Sequence, residues 1–391
     1  MPEESTPARQ IIEAEIRAKG PITFARFMWI ALYGEHGYYT ASANAGADYA
    51  TSPQMHPAFG ALIAGYLFKT WEALGEPATF DVVELGAGDG GLALDILDTV
   101  ESGQGNGDQV DRFGQALRYQ AFDIRPRGNA RGADEFRRME PVVGCVISNE
   151  LLDAFPAHMF TVRDGRVLEC YVGLGDDGNL VFVEGEVSDD EIVDRVGEYA
   201  SILPEGYRGE VNLGISEWAN SVAGLLKSGY VLTIYYGYER DTLYHSTRSE
   251  GSLRCYRDHV LGQNPFRDVG LQDMTTHVDF TAVREELRKV GLREVSPLLT
   301  QRDFLFDLGI GEYVRQVRRE LVKSVAETEV HRLTSELRGL NSLVDSRGLG
   351  DFRVSQFGVN APSIAISDLE FAPVYRLPAY APRHLSYFSY D

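Results

Sequence analysis

Cysteine is scarce in this chain. Cys145, Cys170 and Cys255 are the only three in 391 residues, and no two stand in a C-x-x-C spacing. That argues against a disulfide scaffold and a cysteine zinc site, and it fits a reducing compartment. Long apolar runs are missing too: the longest, near Phe59 to Phe68, is short and broken by glycine, so no membrane partner is expected. Basic charge is in deficit, with 37 Lys and Arg against 58 Asp and Glu and a formal net charge of -21. Binding to a phosphate backbone needs clustered cations, so no nucleic-acid partner is expected either. Met1 to Gln10 carries Glu3 and Glu4 and has neither the apolar centre of a secretory signal nor the acid-poor composition of a transit peptide. From these absences the expected location is the cytoplasm. A homodimer is compatible with them.

What is present suits an ordinary globular protein: 44% apolar residues, 24% charged residues, and enough length for one large domain with additions or for two. Residues 7–19 repeat apolar positions at helical spacing and stop at Gly20-Pro21. Ile22 to Leu32 and Pro57 to Leu74 read as further helices, with an ordered loop over 34–57 between them. From about residue 80 the pattern changes to short apolar runs that alternate with helical ones. Phe80 to Leu85, Leu117 to Asp123, Pro141 to Ser148 and Gly229 to Tyr235 read as strands, and this alternation predicts a parallel sheet with helical crossovers. Met159 to Val187 alternates polar and apolar residues around Asp164-Gly165 and Asp176-Asp177-Gly178, which predicts an antiparallel insertion. Residues 281–345 read as mainly helical. The division expected is a helical amino-terminal cap over 1–78, an α/β core over 79–300 with an insertion at about 159–215, and a mainly helical extension over 301–391 that ends in an aromatic tail.

Gly86, Gly88 and Gly90 lie where a buried strand turns sharply into a helix; side chains there would block the turn and the approach of a ligand to the backbone. Gly86, Gly88 and Gly91 also satisfy G-x-G-x-x-G, which suits a dinucleotide. Glu84, two residues before the first glycine, tilts the choice: an acid there suits a cationic amino-acid cofactor and would repel a pyrophosphate. Asp123 ends the next strand, where a carboxylate can take both ribose hydroxyls. Its distance from the loop exceeds the usual dinucleotide spacing, because residues 101–116 add a polar, glycine-containing excursion.

With these residues in place, the chain resembles the MidA/NDUFAF7-like family of class I methyltransferases. The likeness is carried by Gly20-Pro21-Ile22-Thr23-Phe24-Ala25-Arg26-Phe27-Met28, Gly37-Tyr38-Tyr39, Asp48-Tyr49-Ala50-Thr51-Ser52-Pro53 and Phe59-Gly60. It continues through the glycine loop, Ser148 to Pro156, Tyr236-Gly237-Tyr238, Gly251 to Tyr256 and Thr276 to Thr281. The resemblance implies a Rossmann-like class I methyltransferase sheet with a helical amino-terminal part, an antiparallel insertion and helical carboxyl-terminal additions. It implies S-adenosyl-L-methionine as cofactor, held by Glu84, Gly86, Gly88, Gly90, Asp123 and Asn149, with Thr51, Ser52 and Pro53 helping. The family's mitochondrial member acts on protein arginine, so the acceptor implied is a protein side chain. Two positions depart from the family pattern: Gln54 stands where an acid is expected, and the Asp-Tyr-Gly stretch reads Tyr235-Tyr236-Gly237. They leave open a small-molecule N- or O-methyl acceptor, and a third reading is an inactive cofactor-binding assembly factor.

Methyl transfer needs the nucleophile, methyl carbon and sulfur aligned. Glu150 and Asp153, after the third strand, are the candidates for gripping a guanidinium through bidentate hydrogen bonds. His277 is a candidate base with Asp279 as its orienter or as a lining of the substrate mouth; Tyr39 and Tyr236 are the other substrate candidates. His259, His277 and Asp279 lack ligand spacing, so no metal is expected. Arg315, Arg318 and Arg319 read as the solvated face of a helix.

Overall fold

The computed structural model describes residues 5–41, 51–103, 107–258, 260–364, 373–380 and 384. Asp48-Tyr49-Ala50, His259 and most of the tail lie outside these described residues. The chain forms two compact units, each built from three separate segments. The first comprises Met1–Tyr49, Leu152–Ala219 and Gly237–Glu286; the second comprises Ala50–Leu151, Asn220–Tyr236 and Leu287–Asp391.

The second unit holds an eight-stranded sheet. Its order is Arg293–Glu294, Arg353–Val359, Leu226–Tyr235, Val142–Asn149, Phe80–Leu85, Leu117–Asp123, Arg131–Gly132, with Leu299–Thr300 also on Arg353–Val359. Leu226–Tyr235 through Arg131–Gly132 pair in parallel; Arg353–Val359 runs antiparallel to Leu226–Tyr235 over seven residue pairs. The sheet is therefore mixed where the sequence pattern predicts a parallel one. Arg353–Val359 adds a strand to a carboxyl-terminal stretch whose described residues also form the helices Gln301–Asp307, Ile310–Lys323 and Glu327–Ser342. Five of its seven residues are buried, Ser355 and Gln356 among them, so no polar-apolar alternation marks it.

Phe80–Leu85 and Val142–Asn149 are neighbours in space but not in sequence. The chain passes outward through Leu117–Asp123 and Arg131–Gly132 before it returns to Val142–Asn149. Such a reversal opens a crevice at the carboxyl ends of the two strands. The helix Ala58–Ala73 is buried along most of its length, as the run of apolar residues requires. Phe59, Tyr66, Trp71, Phe80 and Phe113 fill the core beside it, each such ring contributing about 2–3 kcal/mol by burial. Within residues 101–116 the helix Gly91–Gly103 reaches its end and Asp108–Ala116 forms a helix of its own.

The first unit carries an antiparallel sheet, in the order Ile22–Thr23, Arg166–Leu174, His158–Arg163, Arg208–Val211, with Leu180–Gly185 also on Arg166–Leu174. Asp164 and Gly165 both take left-handed φ, 50° and 70°, the two-residue hairpin turn their sequence predicts. Ile22 and Thr23 pair with the sheet instead of opening the predicted helix. That helix is Phe24–Tyr33, and the Thr23 hydroxyl caps it by accepting from the Arg26 N–H at 3.1 Å. Arg254–Arg257 pairs with both Val260–Gly262 and Asp273–Thr275, and Gly237–Tyr238 pairs in parallel with Val278–Asp279. Among the described residues no helix is long and apolar enough to cross a membrane.

Candidate functional site

In the second unit, Phe80–Leu85 delivers the glycine loop to the sheet's crevice. Gly86, Gly88 and Gly90 have φ of 76°, 56° and 79°, a region that penalises side chains. A Cβ on Gly86 would lie 2.9 Å from the Leu151 side chain, so that position is closed by sterics as well as by torsion. The N–H groups of Gly86 and Ala87 both donate to the Phe122 carbonyl, at 2.9 and 3.0 Å, which anchors the loop to the next strand. Gly88 and Asp89 are exposed at the crest. Asp89 Oδ1 accepts from the Gly91 N–H at 2.9 Å, at the first residue of the helix Gly91–Gly103.

The two predicted acids flank this turn. Asp123 Oδ2 accepts from the Gly88 N–H and Oδ1 from the Arg125 N–H, both at 2.9 Å. Burial raises its pKa while these backbone donors oppose the rise. Glu84 is buried, and Tyr119 Oη donates to its Oε2 at 2.9 Å. Burial drives the Glu84 pKa up to about 8; the Tyr119 hydrogen bond opposes this, and the nearby Asp89 and Asp123 add to it. Tyr119 had no signal in the sequence, because its reach to Glu84 depends on strand register.

At the end of Val142–Asn149, Asn149 Nδ2 donates to Glu150 Oε1 at 3.2 Å, and Asn149 Oδ1 is a buried acceptor with no hydrogen-bond partner among the described residues. Glu150 takes a left-handed φ of 52°, its N–H donating to the Ile234 carbonyl at 3.0 Å. A non-glycine residue pays strain for that conformation, and such positions cluster at working sites. Tyr236, half-buried, tilts against Phe352 with ring centroids 5.4 Å apart. Gln54 Oε1 accepts from the Thr51 N–H at 3.1 Å, capping the short helix Ser52–Met55, a bond that a carboxylate would accept equally. Ser52 is fully buried and donates to Gln301 Oε1 at 3.0 Å. Pro53 and Thr51 are half-buried.

The first unit carries the remaining candidates. Asp153 is 1% exposed, and its carbonyl accepts from the Thr276 N–H at 2.9 Å. His277 is held largely away from water, which lowers its pKa to about 4, with Arg254 and Arg248 pushing the same way; it is neutral near pH 7. Its ring lies 5.4 Å from that of Tyr238. Asp279 does not act as an orienter of His277 by sequence adjacency. Its Oδ2 accepts from Arg240 Nε at 2.9 Å and its Oδ1 from the Ala282 N–H at 3.0 Å, so it anchors the helix Phe280–Lys289. Tyr39 Oη donates to Asp273 Oδ1 at 2.8 Å, and its ring stacks on Tyr33 at 5.4 Å. Among the described residues no group of His, Cys, Asp and Glu could hold a metal ion.

The second unit's turn fits an adenosyl sulfonium amino acid. A Cβ on Gly88 would meet nothing within 4 Å among the described residues. Asn149 Oδ1 is an acceptor without a partner among the described residues, and Glu84, with a pKa of about 8, can ionise against a cofactor ammonium, which a pyrophosphate would oppose. A family model described as "Putative S-adenosyl-L-methionine-dependent methyltransferase" matches residues 62–297. The chain is 25% identical over 358 residues to the mitochondrial protein arginine methyltransferase NDUFAF7 homolog of Caenorhabditis elegans, covering 81% of this chain and 79% of that protein. It is 28% identical over 309 residues to the Drosophila melanogaster homolog, covering 70% and 68%. A superfamily member from Burkholderia thailandensis, crystallised with S-adenosyl-homocysteine, superposes with a TM-score of 0.78 at 25% identity over 93% of this chain and 94% of that one. The curated relatives are mitochondrial by name, which overturns the cytoplasmic expectation. Cysteine usage reports redox state, and the cytoplasm is not the only reducing compartment. With a family model matched over more than half its length, and a sheet of the Rossmann-like class I type, this chain belongs to the S-adenosyl-L-methionine-dependent methyltransferases: its cofactor is S-adenosyl-L-methionine, and it delivers a methyl group to an acceptor.

Proposed function

We propose that the acceptor is a protein arginine and that Glu84, Gly86, Gly88, Gly90, Asp123 and Asn149 hold the cofactor. The observation that carries the reading is the glycine turn flanked by Glu84 and Asp123. The names of the relatives, protein arginine methyltransferases, support the choice of acceptor. Asp123 retains lone pairs for ribose hydroxyls after its two backbone bonds, and the exposed side chain of Ile124 beside it, 55% accessible, offers an apolar face to a purine. Glu84 would meet the cofactor's ammonium, with Asn149 Oδ1 as a second acceptor. Thr51 and Pro53 support this end of the site, and Ser52 does so through Gln301. Bound there, the cofactor supplies a methyl carbon made electrophilic by a positively charged sulfur.

A guanidinium nitrogen is a poor nucleophile while its lone pair is delocalised. A carboxylate localises the charge by gripping two of the nitrogens, leaving the third oriented to attack; Glu150 in the second unit and Asp153 in the first are the candidates for that grip. That nitrogen gains the methyl group, the carbon–sulfur bond breaks with its electron pair going to sulfur, and the nitrogen loses one proton. In the first unit His277, neutral at pH 7, has the chemistry of a proton acceptor, with Tyr39 and Asp279 as that unit's substrate candidates; Tyr236 is the second unit's. Alignment of this kind supplies on the order of 7–11 kcal/mol of the barrier. Tyr235 is fully buried, so that departure does not specifically favour a small-molecule acceptor.

The test is incubation of the full chain with labelled cofactor and arginine-rich proteins, followed by hydrolysis and amino-acid analysis. Label in methylarginine is the expected result, and label in lysine or in a small molecule would refute the arginine reading. Asp123→Ala should weaken S-adenosyl-homocysteine binding by about 100-fold in calorimetry, the loss of two charge-assisted hydrogen bonds. An unchanged affinity would remove Asp123 from the site.

A further inference from the structure

Glu210 is a buried carboxylate that the reaction as described does not use. It sits in the strand Arg208–Val211, opposite Met159, 7% exposed. Three donors converge on it: the Ser252 N–H at 2.8 Å and the Ser252 hydroxyl at 2.7 Å on Oε2, and the Leu253 N–H at 3.2 Å on Oε1. Gly251, at a left-handed φ of 74°, allows this close approach, since a Cβ there would stand 2.2 Å from Glu210 Oε1. Tyr244 Oη secures the same residue from its backbone side, donating to the Glu210 carbonyl at 2.9 Å.

The arrangement has a direction. A carboxylate only accepts, so the single hydroxyl proton of Ser252 is committed to Glu210. The Ser252 oxygen is thereby left as an acceptor, and it takes the His277 N–H at 3.0 Å. The adjoining Thr276 N–H donates to the Asp153 carbonyl at 2.9 Å. One buried carboxylate thus fixes a turn, the turn fixes the backbone of His277, and the same segment holds Asp153. A glutamine at 210 would present an NH2 group to at least one of these donors and break the pattern.

We propose that Glu210 is a positioning residue for His277, acting through the Ser252 hydroxyl. The proposal rests on the methyl-transfer reading above for its effect on turnover, but the placement of His277 is measurable by itself. The experiment compares wild type, Glu210→Gln and Ser252→Ala as full chains, reading the His277 imidazole titration by NMR, S-adenosyl-homocysteine affinity by calorimetry, and kcat and KM for an arginine-rich acceptor protein. The wild-type imidazole should titrate near 4. In both variants it should move toward the ordinary histidine value of about 6.5. Turnover should fall about tenfold, the scale of one misplaced catalytic contact, with cofactor affinity unchanged within about twofold because the glycine loop is in the other unit. Wild-type titration of His277 in a folded variant would overturn the proposal, as would a fall in turnover with that titration unmoved. If Glu210→Gln does not fold, Ser252→Ala decides, since it removes a single hydroxyl. Wild type that transfers no label at all would sink the methyl-transfer reading and leave the titration comparison standing.

Discussion

A carboxyl group shut away from water, with two other acids near it, holds its proton well past the usual range. That is the state of Glu84, whose pKa of about 8 is set first by burial and then adjusted by Tyr119, Asp89 and Asp123. The folded value lies above the unfolded one of 4.5, so the stabilisation is fully present below pH 4.5 and is lost as pH rises through about 8. A cofactor ammonium placed against Glu84 would favour the charged form and release the proton. Cofactor affinity should therefore rise about tenfold from pH 6 to pH 8, and Glu84→Gln should flatten that profile; calorimetry across the range reads both. Much of this site was legible in the sequence, because glycines at a strand-to-helix turn and acids at strand ends are local signals. Tyr119 was not, since it meets Glu84 only through the pairing of two strands. Asp279 was misread as a partner of His277 because two residues of separation say nothing about Arg240, which is 39 positions away and holds its carboxylate.

At the scale of elements, the least legible pieces lie after residue 345. Arg353–Val359 buries Ser355 and Gln356 within the sheet, with Ser355 Oγ at 2.5 Å from Thr233 Oγ1, a pattern that neither periodicity nor propensity announces. The described part of the tail is likewise integrated into the second unit. Tyr313 Oη donates to the Tyr375 carbonyl at 2.7 Å, and Tyr375 packs where a Cβ on Gly103 would stand 2.7 Å from its ring. Farther on, His384 Nε2 lies 2.9 Å from Asp95 Oδ2, both side chains 1% exposed. Asp95 belongs to the helix Gly91–Gly103, the one the glycine loop starts, and its Cβ fills the space beside Gly60. His384→Ala removes this contact from a buried carboxylate. It should lower unfolding stability by about 1–3 kcal/mol, read as a reduced urea midpoint at unchanged slope. An unchanged midpoint would mean that the tail adds nothing to the helix carrying Asp95.

The whole molecule is acidic, and that property bears on what it meets. The interleaving of the two units could not be read from the chain, because composition does not change where the backbone passes from one to the other at Leu151–Leu152 or Ala219–Asn220. Net charge needs no such knowledge: 58 acids against 37 bases give -21 at neutral pH. A field of that sign draws cations in from a distance and is weakened by salt, whose screening length shrinks from about 10 Å at 0.1 M to about 3 Å at 1 M. A basic acceptor approaches through solvent and feels the long-range field. The cofactor's ammonium, once bound, would face a buried carboxylate at contact distance, where mobile ions screen little. Salt should therefore separate the two. Raising NaCl from about 0.05 to 0.5 M should increase KM for an arginine-rich protein several-fold, while the calorimetric affinity for S-adenosyl-homocysteine changes less than twofold. Equal salt dependence of both would mean that the acidic exterior does not steer the acceptor, and a KM that fell with salt would point to an acceptor that is itself acidic.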